Sequence, residues 1–271
     1  MPDAEISPAL RVELSGAIAL IYLDRPALLN VLALEGDGDA FGDAFRAINR
    51  NRDVRCAIIT GEGRAFSAGG DLNEMKEKRG VFAGSGIEIR DGYRRNVHDI
   101  VRAVYNLEVP LIAAVNGPAV GLGCDVACMA DIRIASEKAR FGVSFLKIGL
   151  IPGDGGSWLL PRAIGMSRAA EMLFTAELID ASKAEAWGLV SRVVPHDALM
   201  DQTLLLAGRI AAMPSHASRL TKSLLRQSQS ISLDAALELS ASNQALSHLT
   251  DDHIEGVSAL LERRDPNFRG R

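Results

Sequence analysis

A glycine-rich turn between a strand and a helix constrains this chain most. Residues 116–125 (NGPAVGLGCD) follow an apolar run at 111–115, which predicts a buried strand, and precede residues 126–130, which predict a short helix. Such a turn leaves unpaired backbone N–H groups at the start of the helix. Because Gly121 and Gly123 flank Leu122, the Leu122 amide can face a ligand with little obstruction. The turn therefore predicts a place that holds an oxygen as it becomes negative.

A second turn of the same kind occurs earlier in the chain. Residues 63–72 (GRAFSAGGDL) follow the strand-like run 56–60, and Gly69 and Gly70 allow a sharp change of direction. Asp71 is a residue type that caps helices, so we expect a helix after it. One amide from each turn would form an oxyanion hole if the fold brought the turns together. Each turn alone is equally consistent with an ordinary connection between a strand and a helix.

Length and charge narrow the class of function. At 271 residues with 48% apolar content, the chain can form one large domain or a core with a smaller domain. A net charge of −4 argues against nucleic-acid binding through phosphate neutralisation. No apolar run reaches the roughly 18 residues of a membrane span. The N-terminus is acidic and lacks the apolar core of a signal peptide, so we expect a cytoplasmic protein.

Hydrophobic periodicity predicts strands and helices in alternation. Apolar runs on either side of Ser15 and Gly16 predict a β-hairpin, and residues 34–49 predict an amphipathic helix. Residues 74–95 are rich in charge and glycine, which indicates a mobile segment or a loosely packed helix at an entrance. A helix is expected over residues 93–107, where Pro110 follows it.

The composition changes near residue 200. From residue 197 onward the pattern is almost wholly helical, without repeats or low-complexity segments. We therefore expect a core at residues 1–199, which holds the active site, and a helical C-terminal region at residues 200–271.

The two turns, in this order and at this spacing, resemble the crotonase (enoyl-CoA hydratase/isomerase) superfamily. The resemblance covers nearly the whole chain, through residues 130–135 (ADIRIA), 149–156 (GLIPGDGG), 184–190 (AEAWGLV) and 255–260 (EGVSAL). It implies an α/β fold, a crotonase-like spiral of repeated β-β-α units. It also implies that the C-terminal helices pack subunits into homotrimers or homohexamers. Residues 146–152 and 265–270 look most like the phenylacetate-pathway isomerase branch.

The resemblance implies an acyl-CoA thioester as substrate. In such enzymes two backbone amides hydrogen-bond to the thioester oxygen and stabilise the enolate formed during the reaction. Here the two donors match Gly70 and Leu122, and Leu122 replaces a more usual glycine. Coenzyme A enters as part of the substrate, so we expect no separate cofactor and no metal ion.

The acid–base groups depart from the hydratase pattern. Hydratases of this family use two glutamates, and the first matches Asp125, while the second matches Phe145, which cannot transfer a proton. Asp154 is a candidate replacement, because burial beside Phe145 and Trp158 would raise its pKa towards neutral pH. Asp154 is also suited to capping a helix, and Asp125 to a structural hydrogen bond within its turn.

Further contacts follow from the same comparison of motifs. Phe145 and Trp158 are expected to line the substrate pocket. The expected CoA contacts are Arg25, Leu28, Ala68, Asp71, Leu72 and Phe268, the last against an adenine bound by a neighbouring subunit. The family's usual lysine is replaced by Ala27, and simple solvation of Arg25 is an equal alternative.

Two classes of function fit these residues. The first is an enzyme that hydrates or shifts a C=C bond of an enoyl-CoA. Hydration would require Asp125 and Asp154 to act as a pair, whereas isomerisation needs only one of them. The second class is a non-catalytic acyl-CoA-binding protein, which the loss of a glutamate at Phe145 favours. None of the five histidines stands in a matched catalytic position.

Overall fold

The computed structural model describes residues 8–270, so Arg271 and the acidic N-terminus at residues 1–7 lie outside the described residues. Its strands are β1 Leu10–Ser15, β2 Ile18–Leu23, β3 Cys56–Gly61, β4 Leu111–Val115, β5 Pro118–Val120, β6 Ile132–Ser136, β7 Arg140–Gly142, β8 Ile179–Asp180 and β9 Arg192–Val194. Its α-helices are α1 Asp37–Arg50, α2 Leu72–Glu77, α3 Gly86–Gly92, α4 His98–Tyr105, α5 Leu122–Met129, α6 Gly156–Ile164, α7 Met166–Thr175, α8 Ala181–Trp187, α9 Leu199–Ala211, α10 Ser215–Gln227, α11 Leu233–His248 and α12 Asp251–Glu262. None of the helices described is long and apolar enough to cross a membrane.

The strands form two sheets that the chain visits in alternation. The larger sheet has the order β1-β2-β3-β4-β6-β9, with an antiparallel β1–β2 hairpin and parallel pairing thereafter. The smaller sheet has the order β5-β7-β8. Two single parallel bridges, Ser67 with Ala119 and Leu32 with Gly70, extend the smaller sheet to segments that come earlier in the sequence. Each circuit therefore adds to both sheets, which confirms the predicted α/β spiral.

The central strands are buried on both faces, which explains their continuous apolar sequences. On one face, a core that includes Phe41, Phe45 and Ile100 packs beneath α1 and α4. On the other face, α9 covers the sheet with Leu199 and Ala207. Thus α9, which the predicted boundary assigns to the C-terminal region, packs directly on the core sheet.

Two helices differ from the periodicity-based expectation. The helix of the second turn begins at Leu122, four residues early, because Gly121 redirects the chain with φ +55° and ψ −126°. The helix predicted at residues 93–107 opens with a π-helical turn, Tyr93–Val97, and α4 follows it. An extra residue in a turn shifts the face that each side chain presents, and apolar periodicity does not reveal it.

Three cations on one face of α10 bind backbone carbonyls at the entry to three adjacent strands. Arg219 donates to Val54 O before β3 at 3.3 Å, Lys222 to Val109 O before β4 at 2.8 Å, and Arg226 to Met129 O before β6 at 2.7 Å. A spacing of three or four helical residues, about 5 Å, matches the distance between neighbouring strands. Asp131 joins the set by pairing with both Lys222 and Arg226.

Candidate active site

The two glycine-rich turns lie against each other. Val120 N donates to Ser67 O at 2.9 Å, and Phe66 N donates to Pro118 O at 3.0 Å. A Cβ added at Gly69 would lie 2.6 Å from Val120 O and 3.2 Å from Leu122 N, so only glycine allows this approach. The fold thus brings together the two turns whose convergence the sequence left open.

Each of the two candidate donor amides follows a glycine with a positive φ angle. Gly69 has φ +82° ahead of Gly70, and Gly121 has φ +55° ahead of Leu122. Within residues 8–270, neither Gly70 N nor Leu122 N donates to an acceptor. Two neighbouring N–H groups without a protein acceptor are suited to an oxygen atom of a ligand.

Two asparagine side chains brace the turns, and the sequence reasoning assigned neither of them a role. Asn116 accepts from Gly61 N at 3.2 Å and donates to Gly63 O at 2.9 Å. Asn30 donates to Ala65 O at 2.9 Å. Their positions next to predicted turns were the available signal, but the partners are distant in sequence. These bonds hold the turns rigid without using the amides that face the site.

Apolar side chains surround the paired turns. Phe145 is buried, and its ring lies 3.7 Å from the position of a Cβ added at Gly121. Met75 and Phe82 lie 2.7 and 3.8 Å from a Cβ added at Gly70. Phe145 therefore stands beside the site, as expected. Met75 and Phe82 were missed, because the charge-rich sequence at residues 74–95 hid the few apolar residues that face inwards.

Asp125 lies in α5, three residues after Leu122, and is completely buried. Neither carboxyl oxygen has a partner with good hydrogen-bond geometry among the described residues, so the alternative of a structural bond within the turn is wrong. The backbone N–H of Gly156, in α6, is close enough to lower the pKa of the group, but this is the smallest of the effects on it. The start of α6 packs directly on the group, since a Cβ at Gly156 would lie 2.6 Å from Oδ1. Burial, with Cys128 and Asp154 nearby, raises the pKa of Asp125 well above its usual value and favours the neutral acid.

Asp154 lies on the loop that precedes α6 and is 5% exposed. Burial raises its pKa to about 6. The N-cap of α6 is Gly155, and no side chain caps this helix, so the alternative of Asp154 as a helix cap is wrong. Its charge reaches the carboxyl of Asp125 and raises the pKa of that group. A carboxyl with a pKa near 6 can take and return a proton around neutral pH.

Tyr93 is the aromatic residue that packs on the loop of Asp154. Its ring lies 3.4 Å from the position of a Cβ added at Gly153, and burial, with the charge of Asp154, raises the pKa of Tyr93 to about 12. Trp158, expected in the pocket, instead contacts Tyr105 at 5.6 Å between ring centroids. Its ring also lies 3.9 Å from the Arg162 guanidinium. The expectation that Trp158 lines the pocket is therefore wrong: the side chain is half-exposed and packs beside α4.

Of the expected CoA contacts, four lie on or next to the first turn. Leu28 and Leu72 are exposed, and Ala68 N donates to Leu29 O at 2.9 Å, which holds the segment of Leu28 against this turn. Asp71 accepts from the amides of the first turn of α2, at 2.7 Å from Asn73 N, and so caps this helix as predicted. With Ala68 and Asp71 half-buried, these residues form one partly exposed edge beside Gly70.

Arg25 requires a correction. Its guanidinium is buried and forms a two-pronged ion pair with Asp37, at 2.7 and 2.8 Å. It also donates to Val31 O at 3.3 Å. A guanidinium held in this way fixes the loop before α1 rather than a phosphate of CoA. Sequence reasoning missed the pair because Asp37 belongs to the next helix.

Phe268 lies far from the turns of its own chain. Its ring packs 3.4 Å from the position of a Cβ at Gly256 in α12, and its carbonyl accepts from Arg55 at 3.1 Å. Arg55 comes just before β3 and the first turn just after it, so Phe268 and the first turn lie at opposite ends of this strand. Contact with an adenine from a neighbouring subunit stays a prediction.

Comparison with known proteins agrees with this geometry. The chain matches the enoyl-CoA hydratase/isomerase family over residues 13–271. It is 34% identical over 255 residues to a 1,2-epoxyphenylacetyl-CoA isomerase of Escherichia coli (strain K12), covering 94% of this chain and 95% of that protein. It is 36% identical over 258 residues to a 2,3-dehydroadipyl-CoA hydratase of the same organism, covering 94% and 96%. A solved enoyl-CoA hydratase from Bacillus anthracis aligns with a TM-score of 0.90 and 30% identity over 97% of this chain and 100% of the other.

These similarities cover more than nine-tenths of the proteins compared and include hydratases and an isomerase. They give no support to the alternative of a non-catalytic acyl-CoA-binding protein. The chain is an acyl-CoA enzyme and belongs to the enoyl-CoA hydratase/isomerase family.

Proposed function

We propose that this enzyme moves a C=C bond of an enoyl-CoA, as an isomerase rather than a hydratase. The observation that carries the proposal is the contrast between the two carboxyls. Asp125 is completely buried and favours its neutral form, whereas Asp154 retains slight exposure and a pKa of about 6. The family resemblance matches Phe145 to the second hydratase glutamate, and phenylalanine cannot transfer a proton. A single proton-transferring group suffices for isomerisation, while hydration needs two.

The proposed reaction uses the paired turns as an oxyanion hole. The thioester oxygen of a 3-enoyl-CoA accepts hydrogen bonds from Gly70 N and Leu122 N. Ionised Asp154 removes a proton from C2, the electrons spread over the thioester as a dienolate, and Asp154 returns the proton to C4. The product is the 2-enoyl-CoA, with no net gain or loss of atoms. Each amide donor contributes about 3 kcal/mol to barrier lowering in sites of this kind.

The apolar residues around the site support isomerisation over hydration. Phe145, Phe82 and Tyr93 lie around the turns and the loop of Asp154. None of these three side chains carries a carboxyl that could orient a water molecule for attack at C3. Apolar neighbours also strengthen the hydrogen bonds of the two amides to the enolate oxygen.

We also place coenzyme A and the assembly within this proposal. The CoA moiety lies along the partly exposed edge formed by Leu28, Ala68, Asp71 and Leu72.

We propose a homotrimer, or a hexamer made of two trimers. Exposed apolar side chains on α11, α12 and the turn between them support this assembly: Leu237, Leu246, Leu249, Leu260 and Leu261.

Two substrates test the proposed reaction. The purified enzyme is incubated with a 3-enoyl-CoA, and double-bond migration is followed by the absorbance of the conjugated product. Water addition to crotonyl-CoA is measured in parallel. We expect migration to exceed hydration by at least about 100-fold, given the missing second acid–base group. Hydration at a rate equal to or above migration would contradict the proposal.

A further inference from the structure

Before Asp154 its loop lacks backbone–backbone hydrogen bonds: residues 151–154 make none within the described residues, whereas Gly155 O accepts from Trp158 N and Leu159 N. Gly153 and Gly155 flank the aspartate, and Gly155 has φ +102°. Burial alone accounts for the shifted pKa of Asp154, whose carboxyl has no hydrogen-bond partner within the described chain. A free side chain suits a group that must reach two carbons in turn. The backbone beneath it must then be fixed by something else.

His98 supplies that contact. Its Nε2 atom lies 3.0 Å from Gly153 O, and this is the one side-chain hydrogen bond to the backbone of residues 151–154 within residues 8–270. A carbonyl oxygen only accepts, so Nε2 must carry the proton. Tyr93 packs beside it, with ring centroids 6.2 Å apart and the planes nearly perpendicular. Together the two rings enclose Gly153, the neighbour of Asp154.

The π-helical turn Tyr93–Val97 makes this arrangement possible. Asn96 of this turn accepts from Gly38 N at 2.6 Å and donates to Leu34 O at 2.9 Å, which ties the turn to the core. The wider turn lets Asn96 face α1 while Tyr93 and His98 face the loop of Asp154. π-turns of this kind are frequent at functional sites.

We infer that His98 is a positioning residue for Asp154, which it holds in place through the carbonyl of Gly153. The inference rests on the proposed role of Asp154 in proton transfer. His98 does not touch the substrate in this scheme and acts only through the loop. A displacement of about 1 Å at a catalytic group can cost up to roughly 100-fold in rate. Loss of the His98 bond therefore affects turnover more than substrate binding.

Three variants test this role. His98→Leu removes the donor at similar volume, and we expect kcat for double-bond migration to fall by on the order of 10- to 100-fold while KM changes less than threefold. His98→Gln places an amide N–H near the former Nε2 atom, and we expect it to recover most of the lost kcat. In an Asp154→Asn background, His98→Leu should cause no further loss.

A matched control uses another half-buried histidine with one side-chain bond. His196 bonds to Ser136 Oγ at 3.0 Å, and His196→Leu should leave kcat unchanged. The inference is overturned if His98→Leu keeps full kcat, if glutamine fails to restore it, or if the loss persists in the Asp154→Asn background. Full activity of Asp154→Asn alone would instead overturn the proposed function. Inactive Asp154→Asn with normal His98→Leu would reject only the positioning role.

Discussion

At the scale of single residues, two neighbouring carboxyls differ because their surroundings differ. Asp125 has no contact with solvent, and within residues 8–270 neither carboxyl oxygen has a partner with good hydrogen-bond geometry, so ionisation there is disfavoured. Asp154 lies at the edge of the same cluster, and the pKa of its carboxyl rises only to about 6. Environments that separate the pKa values of two acids also separate their roles. We therefore expect Asp154 to transfer the proton and burial to disfavour the charged form of Asp125.

The first prediction compares the two aspartates. Asp154→Asn should lower kcat for double-bond migration by about 100- to 10,000-fold, the usual contribution of a general base. Asp125→Asn, the matched control, should change kcat less than about fivefold, because burial already disfavours the charged form that an amide lacks. Steady-state kinetics with a 3-enoyl-CoA measure both. Equal losses in the two variants would show that the aspartates act as a pair.

The second prediction concerns pH. The base must be ionised, so kcat/KM of the parent enzyme should rise with pH through about 6 and then level off. Because the folded pKa of Asp154 lies above the unfolded value of roughly 4, stability declines as pH rises through this interval. Asp154→Asn should therefore unfold at a higher urea concentration than the parent at pH 8. A destabilised variant would contradict the shifted pKa.

Individual side chains were the hardest features to foresee. The residue types at positions 70, 122, 125 and 154 follow from local motifs, and the fold brings these positions to one region. Arg25 was misassigned, since its partner Asp37 becomes a neighbour only when the chain turns into α1. Sequence spacing predicts contacts within an element, but not which charged group a loop will fold against.

At the scale of elements, the second turn depends on a backbone conformation that only glycine adopts easily. Gly121 combines φ +55° with ψ −126°, which turns the next amide away from the strand. A Cβ there has room, because its nearest neighbour would be Phe145 at 3.7 Å. Any effect of alanine would therefore come from the backbone angle rather than from a clash.

A third prediction follows for this turn. Gly121→Ala should rotate the Leu122 amide and lower kcat by about 100- to 1,000-fold, the usual loss for one oxyanion donor. Gly149→Ala is the control, because Gly149 also has positive φ and no neighbour within 4 Å of an added Cβ. It should cost on the order of 1 kcal/mol of stability and leave kcat unaltered. Equal kcat values for the two variants would contradict a role of the Gly121 turn in catalysis.

The attachment of α10 to the sheet gives a fourth prediction. Burial lowers the pKa of Lys222 to about 8, against the attraction of Asp131 at 2.7 Å. Asp131→Asn leaves this buried cation unpaired and should cost about 3–5 kcal/mol of unfolding free energy, whereas Lys222→Met leaves Asp131 with Arg226 and should cost less. Urea denaturation measures both.

The pH dependence of the unfolding free energy tests this explanation of the Asp131→Asn variant. In Asp131→Asn, loss of the carboxylate should move the folded pKa of Lys222 further below about 8, so the stability deficit relative to the parent should shrink as pH rises towards 8. An unchanged or growing deficit at high pH would contradict the account of α10.

Elements with continuous apolar or amphipathic sequences were foreseen well, as β3, β4 and the C-terminal helices show. The π-helical turn was not, because one inserted residue leaves the apolar content of a helix unchanged while rotating its faces. Tyr93 and His98 consequently escaped notice, although Tyr93 packs against Gly153, next to Asp154. A sequence prediction that overlooks such a turn still finds the helix, but it assigns the residues after the turn to the wrong helix face.

At the scale of the molecule, alternation between two sheets places successive strand ends side by side. The turns after β3 and β4 meet because Ser67 and Ala119 pair in the smaller sheet, although 51 positions separate them in the chain numbering. Such pairing is non-local, and periodicity alone could not have drawn the spiral. The resemblance to a family supplied it, and the alignment of the whole chain confirms it.

The fifth prediction concerns assembly. We expect a trimer near 87 kDa, three times the 29.0 kDa chain, or a multiple of it, in light scattering coupled to size-exclusion chromatography. Leu260→Asp, on the exposed apolar face of α12, should reduce the mass to that of one chain, while Leu14→Asp on the exposed hairpin should not. A parent enzyme that runs as a single chain would refute this interface.

The proposed mechanism depends most on two amides that share one thioester oxygen, and infrared spectroscopy of a bound acyl-CoA reports on this directly. An isotope-labelled thioester carbonyl is bound to Asp154→Asn, which should hold the substrate without turnover. We predict that its stretching frequency falls on binding, because both amides polarise the C=O bond, and that adding Gly121→Ala removes most of the fall. A bound carbonyl that absorbs at the frequency of free acyl-CoA would contradict the oxyanion hole and the mechanism built on it.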